Sequence, residues 1–157
     1  MSGKITHIGL SVPDLDRAID WYNKVYGFYI LAGPFSFDAV HEPSDNMTQD
    51  LQGSEVKKMR NAHLMSSGGV GIELFEFQDA EIANEKSSPR QGFFHICLIV
   101  DDLVETIERV IRYGGKQKSQ IWNINKGKPH YLVYTEDLFG NIVELYTHST
   151  SEIYGNR

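Results

Sequence analysis

The apolar residues of this chain fall in two alternating rhythms, and each rhythm occurs twice. Ile8, Leu10 and Val12 alternate with His7, Gly9 and Ser11, a period of two that predicts a strand over residues 4–12 with one apolar face. The period then changes. Asp14 stands where a helix N-cap belongs, Leu15, Ala18, Ile19, Tyr22 and Tyr26 follow at helical spacing, and Gly27 ends the helix. Further on, Phe94, Ile96, Leu98 and Val100 repeat the strand, Asp102 repeats the cap, and Leu103, Ile107, Val110 and Ile111 repeat the stripe up to Gly114–Gly115. Three strand-like runs follow each helix, near 28–36, 59–66 and 70–78 in the first half and near 116–122, 130–135 and 141–148 in the second. Each half reads as β-α-β-β-β.

The halves also match residue by residue. His7–Leu15 and His95–Leu103 share six of nine positions, at a separation of 88. Ile72-Glu-Leu-Phe75 resembles Val143-Glu-Leu-Tyr146 at a separation of 71, so the first half carries an insertion, placed at the polar segment 36–57. The expected layout is a single domain over 1–157, with module 1 at about 1–78, a linker at about 79–92 and module 2 at about 93–150. A module this small cannot bury a sheet face alone. The expected fold is therefore α+β, with the two tandem βαβββ modules forming a curved, barrel-like mixed sheet and the helices outside.

Strand parity then selects the candidate chemistry. With Ile8, Leu10 and Val12 toward the helix, His7 faces the other side, and the same rule sets His95 and Cys97 opposite Phe94, Ile96 and Leu98. Glu73 and Glu144 likewise oppose Ile72/Leu74 and Val143/Leu145. A carboxylate set among bulky apolar neighbours needs a cation or hydrogen-bond donors. His7, Glu73, His95 and Glu144, one His and one Glu per repeat, are therefore candidate ligands of one divalent ion, the competing reading being two hydrogen-bonded His–Glu pairs without metal. Two imidazoles and two carboxylates suit Zn, Ni, Co, Fe(II) or Mn better than Ca or Mg. Four such ligands leave up to two octahedral positions for a substrate with adjacent oxygens. His41, His63 and His148 read instead as ordinary core or surface residues.

Charge narrows the partners. The formal net charge over 157 residues is −6, which excludes nucleic acid and an anionic membrane surface as partners. Cys97 is the one cysteine, so no internal disulfide forms, and no run approaches the roughly 20 apolar residues of a membrane helix. A cytoplasmic protein is expected.

HIGLSV and HICLIV opening the halves, and the closing pattern D-x-x-G-N-x-x-E-L formed by Asp137, Gly140, Asn141, Glu144 and Leu145, resemble the vicinal-oxygen-chelate superfamily over nearly the whole chain. The resemblance implies a metal held by His7, Glu73, His95 and Glu144, closest to the glyoxalase and epimerase branches. It implies a lyase or isomerase that shifts a proton next to a carbonyl by way of a metal-chelated enediolate, with Glu144 as first choice for the base and Glu73 as second. An extradiol-type ring-cleaving dioxygenase and a metal-free antibiotic-binding resistance protein are the alternatives. Against the dioxygenase, His130 and Tyr134 stand too close together, and Leu138 replaces a preferred proline. Against a glutathione-binding lyase, Arg17, Arg60 and Arg90 are scattered and read as solvated charges. Segments 41–57 and 116–128, the latter with Trp122, read as lids or plain surface loops; the substrate-binding residues are not identified. A homodimer is expected, with Trp21, Tyr22, Tyr26, Phe28 and Tyr29 as the aromatic surplus for its interface.

Overall fold

The computed structural model describes residues 2–39, 41, 47–79 and 91–155. The fold is α+β and contains the two tandem βαβββ modules. The chain divides into two compact units, Met1–Lys86 and Ser87–Arg157. Most of the expected linker, including Arg90, lies outside the described residues.

In the first unit β1 (His7–Ser11) leads into α1 (Leu15–Tyr26), followed by β2 (Tyr29–Asp38), α2 (Met47–Gln52), β3 (Lys58–Met65) and β4 (Gly71–Phe77). The strands form an open sheet in the order β1-β4-β3-β2, with β1 parallel to β4 and the other pairs antiparallel. α1 begins where expected, because the Asp14 carboxylate accepts from the Arg17 amide at 3.0 Å. It ends at Gly27, whose φ of 71° places the backbone in the left-handed region that glycine enters at little cost. Leu15, Ala18, Trp21, Tyr22 and Val25 are buried against the sheet face that carries Ile72, Leu74, Ala62 and Leu64. Each large apolar side chain buried there contributes about 1.5–3 kcal/mol.

Polar contacts lock the same helix down. Glu76 accepts from the Leu15 amide at 2.7 Å, satisfying one of the donors that a helix start leaves open. Arg60 grips Asp16 through both terminal nitrogens, at 3.0 and 2.9 Å, and stands 3.7 Å from Glu76. Arg60 is thus not a scattered surface charge: it fastens α1 to β3.

In the second unit β5 (His95–Ile99) leads into α3 (Leu103–Arg112), then β6 (Lys116–Gln117), β7 (Trp122–Asn123), β8 (Tyr131–Glu136), β9 (Ile142–Tyr146) and α4 (Thr150–Tyr154). The order is β5-β9-β8-β6, with β7 also pairing with β8 and β5 parallel to β9. The single strand expected at 116–122 is two short ones. Both pair with β8, so the chain leaves the ladder between them. Asp102 caps α3 through the Glu105 amide at 2.9 Å. Ile111, expected in the apolar stripe, is 53% exposed, and Thr106 is buried in the stripe instead, its hydroxyl satisfied by the Asp102 carbonyl at 2.6 Å. Two short helices were not expected, α2 inside the insertion and α4 after module 2. Among the described residues, no helix is long and apolar enough to cross a membrane.

Candidate functional site

Strand register fixes what shares a face with each candidate ligand. In the first sheet Gly9 and His63 lie on either side of Glu73, and Asn61 pairs with Phe75 on the next rung. His7, Glu73, His63 and Asn61 therefore occupy the face opposite α1. His7 Nε2 stands 3.4 Å from Glu73 Oε2, and His63 Nε2 stands 3.4 Å from Glu73 Oε1. Asn61 Nδ2 donates to that same Oε1 at 2.9 Å. Toward one end of this face Val56, Met59 and Phe75 form a small apolar cluster with Phe37 and Phe77.

The second sheet repeats the arrangement. Cys97 and Tyr134 lie on either side of Glu144, on the face opposite the buried Val133, Val143 and Leu145. His95 Nε2 is 3.3 Å from Glu144 Oε2. Beyond it Leu132, Tyr146 and Ile153 form the matching apolar cluster with Ile124, and the Tyr146 and Tyr154 hydroxyls meet at 3.2 Å. α4 thus covers part of the face that holds Glu144.

Each carboxylate has its own electrostatic setting. Burial first, and then the Glu144 carboxylate, pushes the Cys97 thiol up to about 12, although the residue as a whole is exposed. The same two causes, in the same order, raise the Tyr134 hydroxyl. Burial and the Tyr154 hydroxyl raise Tyr146. All three therefore hold their protons at neutral pH.

The structure brings His7 to Glu73 and His95 to Glu144, as strand parity implied. It also brings in His63, which sequence reasoning set aside, and Asn61, which it did not weigh. The signal was present: a hairpin centred on Gly68 sets 63 opposite 73 and 61 opposite 75.

The donor chemistry fits a divalent transition ion. Nitrogen and oxygen atoms bound to one such ion at about 2.0–2.2 Å lie roughly 3–3.5 Å apart, the range of the His7–Glu73, His63–Glu73 and His95–Glu144 contacts alike. A charge-assisted hydrogen bond would draw the same atoms to about 2.7–2.9 Å. Within either unit no three His, Cys, Asp or Glu side chains among the described residues are preassembled as a metal cluster.

The family model for the glyoxalase/bleomycin resistance protein/dioxygenase superfamily matches residues 4–145. The chain belongs to that superfamily. It is 25% identical over 144 residues to a mitochondrial methylmalonyl-CoA epimerase of Dictyostelium discoideum, covering 91% of this chain and 77% of that one. It is 28% identical over 149 residues to a lactoylglutathione lyase of Pseudomonas putida, covering 88% and 82%. Among solved structures, a glyoxalase family protein from Bacillus cereus superposes with a TM-score of 0.76 at 18% identity, covering 91% and 92%.

Proposed function

We propose that this chain is a metal-dependent lyase or isomerase that moves a proton next to a carbonyl, with His7, Glu73, His95 and Glu144 as ligands of one divalent ion (Zn, Ni, Co, Fe or Mn). The observation that carries the reading is the pair of matched His–Glu contacts, 3.4 and 3.3 Å, on equivalent strands of the two sheets. Relatives named as an epimerase and a lyase support the same class of chemistry.

When bound, the ion supplies Lewis acidity to two adjacent oxygens of a small substrate. Glu144 takes the proton from the carbon beside the carbonyl and returns it to the substrate. Its side chain is 6% exposed against 17% for Glu73, so water competes less for it. Cys97 and Tyr134 stay neutral beside it. Glu73, hydrogen-bonded by Asn61, serves as a ligand. The apolar clusters around Phe75 and Tyr146 limit solvent at one end of each face.

Purified protein is expected to take up about one transition ion per chain, as a four-ligand N/O site does, and His95→Ala to lose most of it. The metal-loaded protein, screened against hydroxy-carbonyl, phosphosugar and acyl-thioester compounds in deuterated water, should incorporate deuterium at the carbon beside the carbonyl. Oxygen consumption with catechols in place of exchange would move the reading to a ring-cleaving dioxygenase. Tight drug binding by protein that takes up no metal would move it to a resistance protein.

A homodimer working in the cytoplasm belongs to the same proposal, on a changed surface. Trp21, Tyr22 and Phe28 are buried in the first unit's own core and offer nothing to a partner. Tyr29, Ile30, Leu31 and Phe35 on the edge strand β2 are exposed, as are Phe94 and Ile99 at β5, and such edges call for cover. Light scattering at micromolar protein should give twice the chain mass; the mass of a single chain would overturn this part.

A further inference from the structure

We infer that Asn61 is a positioning residue, which fixes Glu73 as a ligand through one oxygen; this rests on the metal site proposed above. A carboxylate that is free to turn can bind an ion through one oxygen or both. Glu73 is not free to turn. Its Oε1 accepts from Asn61 Nδ2 at 2.9 Å, and His63 Nε2 crowds the same oxygen at 3.4 Å. Its Oε2 is left facing His7 Nε2 at 3.4 Å. The amide must turn its nitrogen to this contact, because an ionised carboxylate accepts and cannot donate. A single coordinating oxygen occupies one position on the ion and leaves room for a chelating substrate.

The second sheet lacks the device. Position for position along the matched hairpins, Asn61 corresponds to Leu132 and His63 to Tyr134, just as Glu73 corresponds to Glu144. Leu132 has no donor to offer. The repeat thus separates a carboxylate gripped by an amide from one met by a thiol and a phenol, and the separation originates on the strands beside each glutamate.

The test loads wild type, Asn61→Leu, Glu73→Gln and the double variant with cobalt(II). Affinity is read by chelator competition and coordination by the visible absorption of the bound ion. Asn61→Leu should weaken cobalt binding about 10- to 100-fold, the usual effect of removing a partner of a metal ligand, and should change the absorption spectrum. With Glu73→Gln already present, Asn61→Leu should cost little more, because its effect passes through that carboxylate. Should Asn61→Leu not fold, Asn61→Ala removes the donor without adding a charge and carries the same expectation. A wild-type spectrum and affinity in a folded Asn61 variant, or a loss that adds fully to that of Glu73→Gln, overturns the inference alone. A wild-type chain that takes up no cobalt overturns the metal reading and this inference together.

Discussion

In the first sheet Glu73 lies among His7, His63 and Asn61, with Gly9 beside it on β1; in the second, Glu144 lies among His95, Cys97 and Tyr134. Strand order, parallel first pair, helix N-cap and His–Glu contact distance are common to both. The neighbours of the carboxylate are what differ. One sheet supplies an amide and an imidazole, the other a thiol and a phenol that keep their protons. A duplicated scaffold thus gives two similar His–Glu pairs, and substitution on the flanking strands gives the two glutamates different neighbours.

The sharpest way to break that comparison is to neutralise each glutamate in turn. Glu144→Gln should lower the rate of proton exchange about 10²- to 10⁴-fold, the range for a positioned general base. Glu73→Gln should act chiefly on metal affinity, leaving more of the exchange rate once the ion is saturating. The reverse pattern in single-turnover exchange would assign the base to Glu73.

The core offers the next test, and here the sheets should behave alike. Leu74 and Leu145 are fully buried at matched positions beside the two glutamates. Each change to Ala should cost about 2–5 kcal/mol, measured by urea unfolding. A large difference between them would show that one unit sets the stability of the chain and that the structural repeat is not an energetic one.

These matched positions were legible in the sequence because they depend on local rules. Parity puts Leu74 and Glu73 on opposite faces whatever surrounds them, and Asp14 and Asp102 cap their helices within one turn. What was missed depends on pairing across strands or on short elements. His63 became a neighbour of Glu73 through the β3–β4 register, and Arg60 became a latch through a residue 44 positions away. α2 and α4, of six and five residues, are too short for helical periodicity to register; α4 rests on the burial of Ile153, whereas α2 buries no side chain. Trp21 belongs to the core because the buried face of α1 runs through Trp21 and Val25 and leaves Ile19 at its margin.

The caps give a smaller effect. Asp14→Ala and Asp102→Ala each remove one carboxylate-to-amide bond, and each should cost about 1 kcal/mol, seen as a fall in thermal midpoint. Asp14 should prove the milder loss, because Glu76 still satisfies the Leu15 amide in the same turn. Equal losses would mean that the Glu76 contact adds nothing to the start of α1.

The smallest effect lies in the latch that α1 has and α3 lacks. Among the described residues, no arginine–aspartate bridge ties the first turn of α3 to its sheet, whereas Arg60 holds Asp16 in two hydrogen bonds. Those bonds hold the Asp16 carboxyl below its ordinary value of 3.8. A carboxyl depressed on folding stabilises the fold in full above its unfolded value, and the contribution fades as pH falls through the lower, folded value. Asp16→Asn should therefore unfold earlier than wild type at pH 5–7, and the two should converge as pH falls below about 4. The pair is exposed, so the gap should stay within about 1 kcal/mol and shrink in high salt. Trp21 is buried on α1 itself, and Trp122 is half exposed on β7, so a Trp122→Phe background makes Trp21 fluorescence a report on this helix. A gap that widened in acid would mean that Asp16 acts through something other than Arg60.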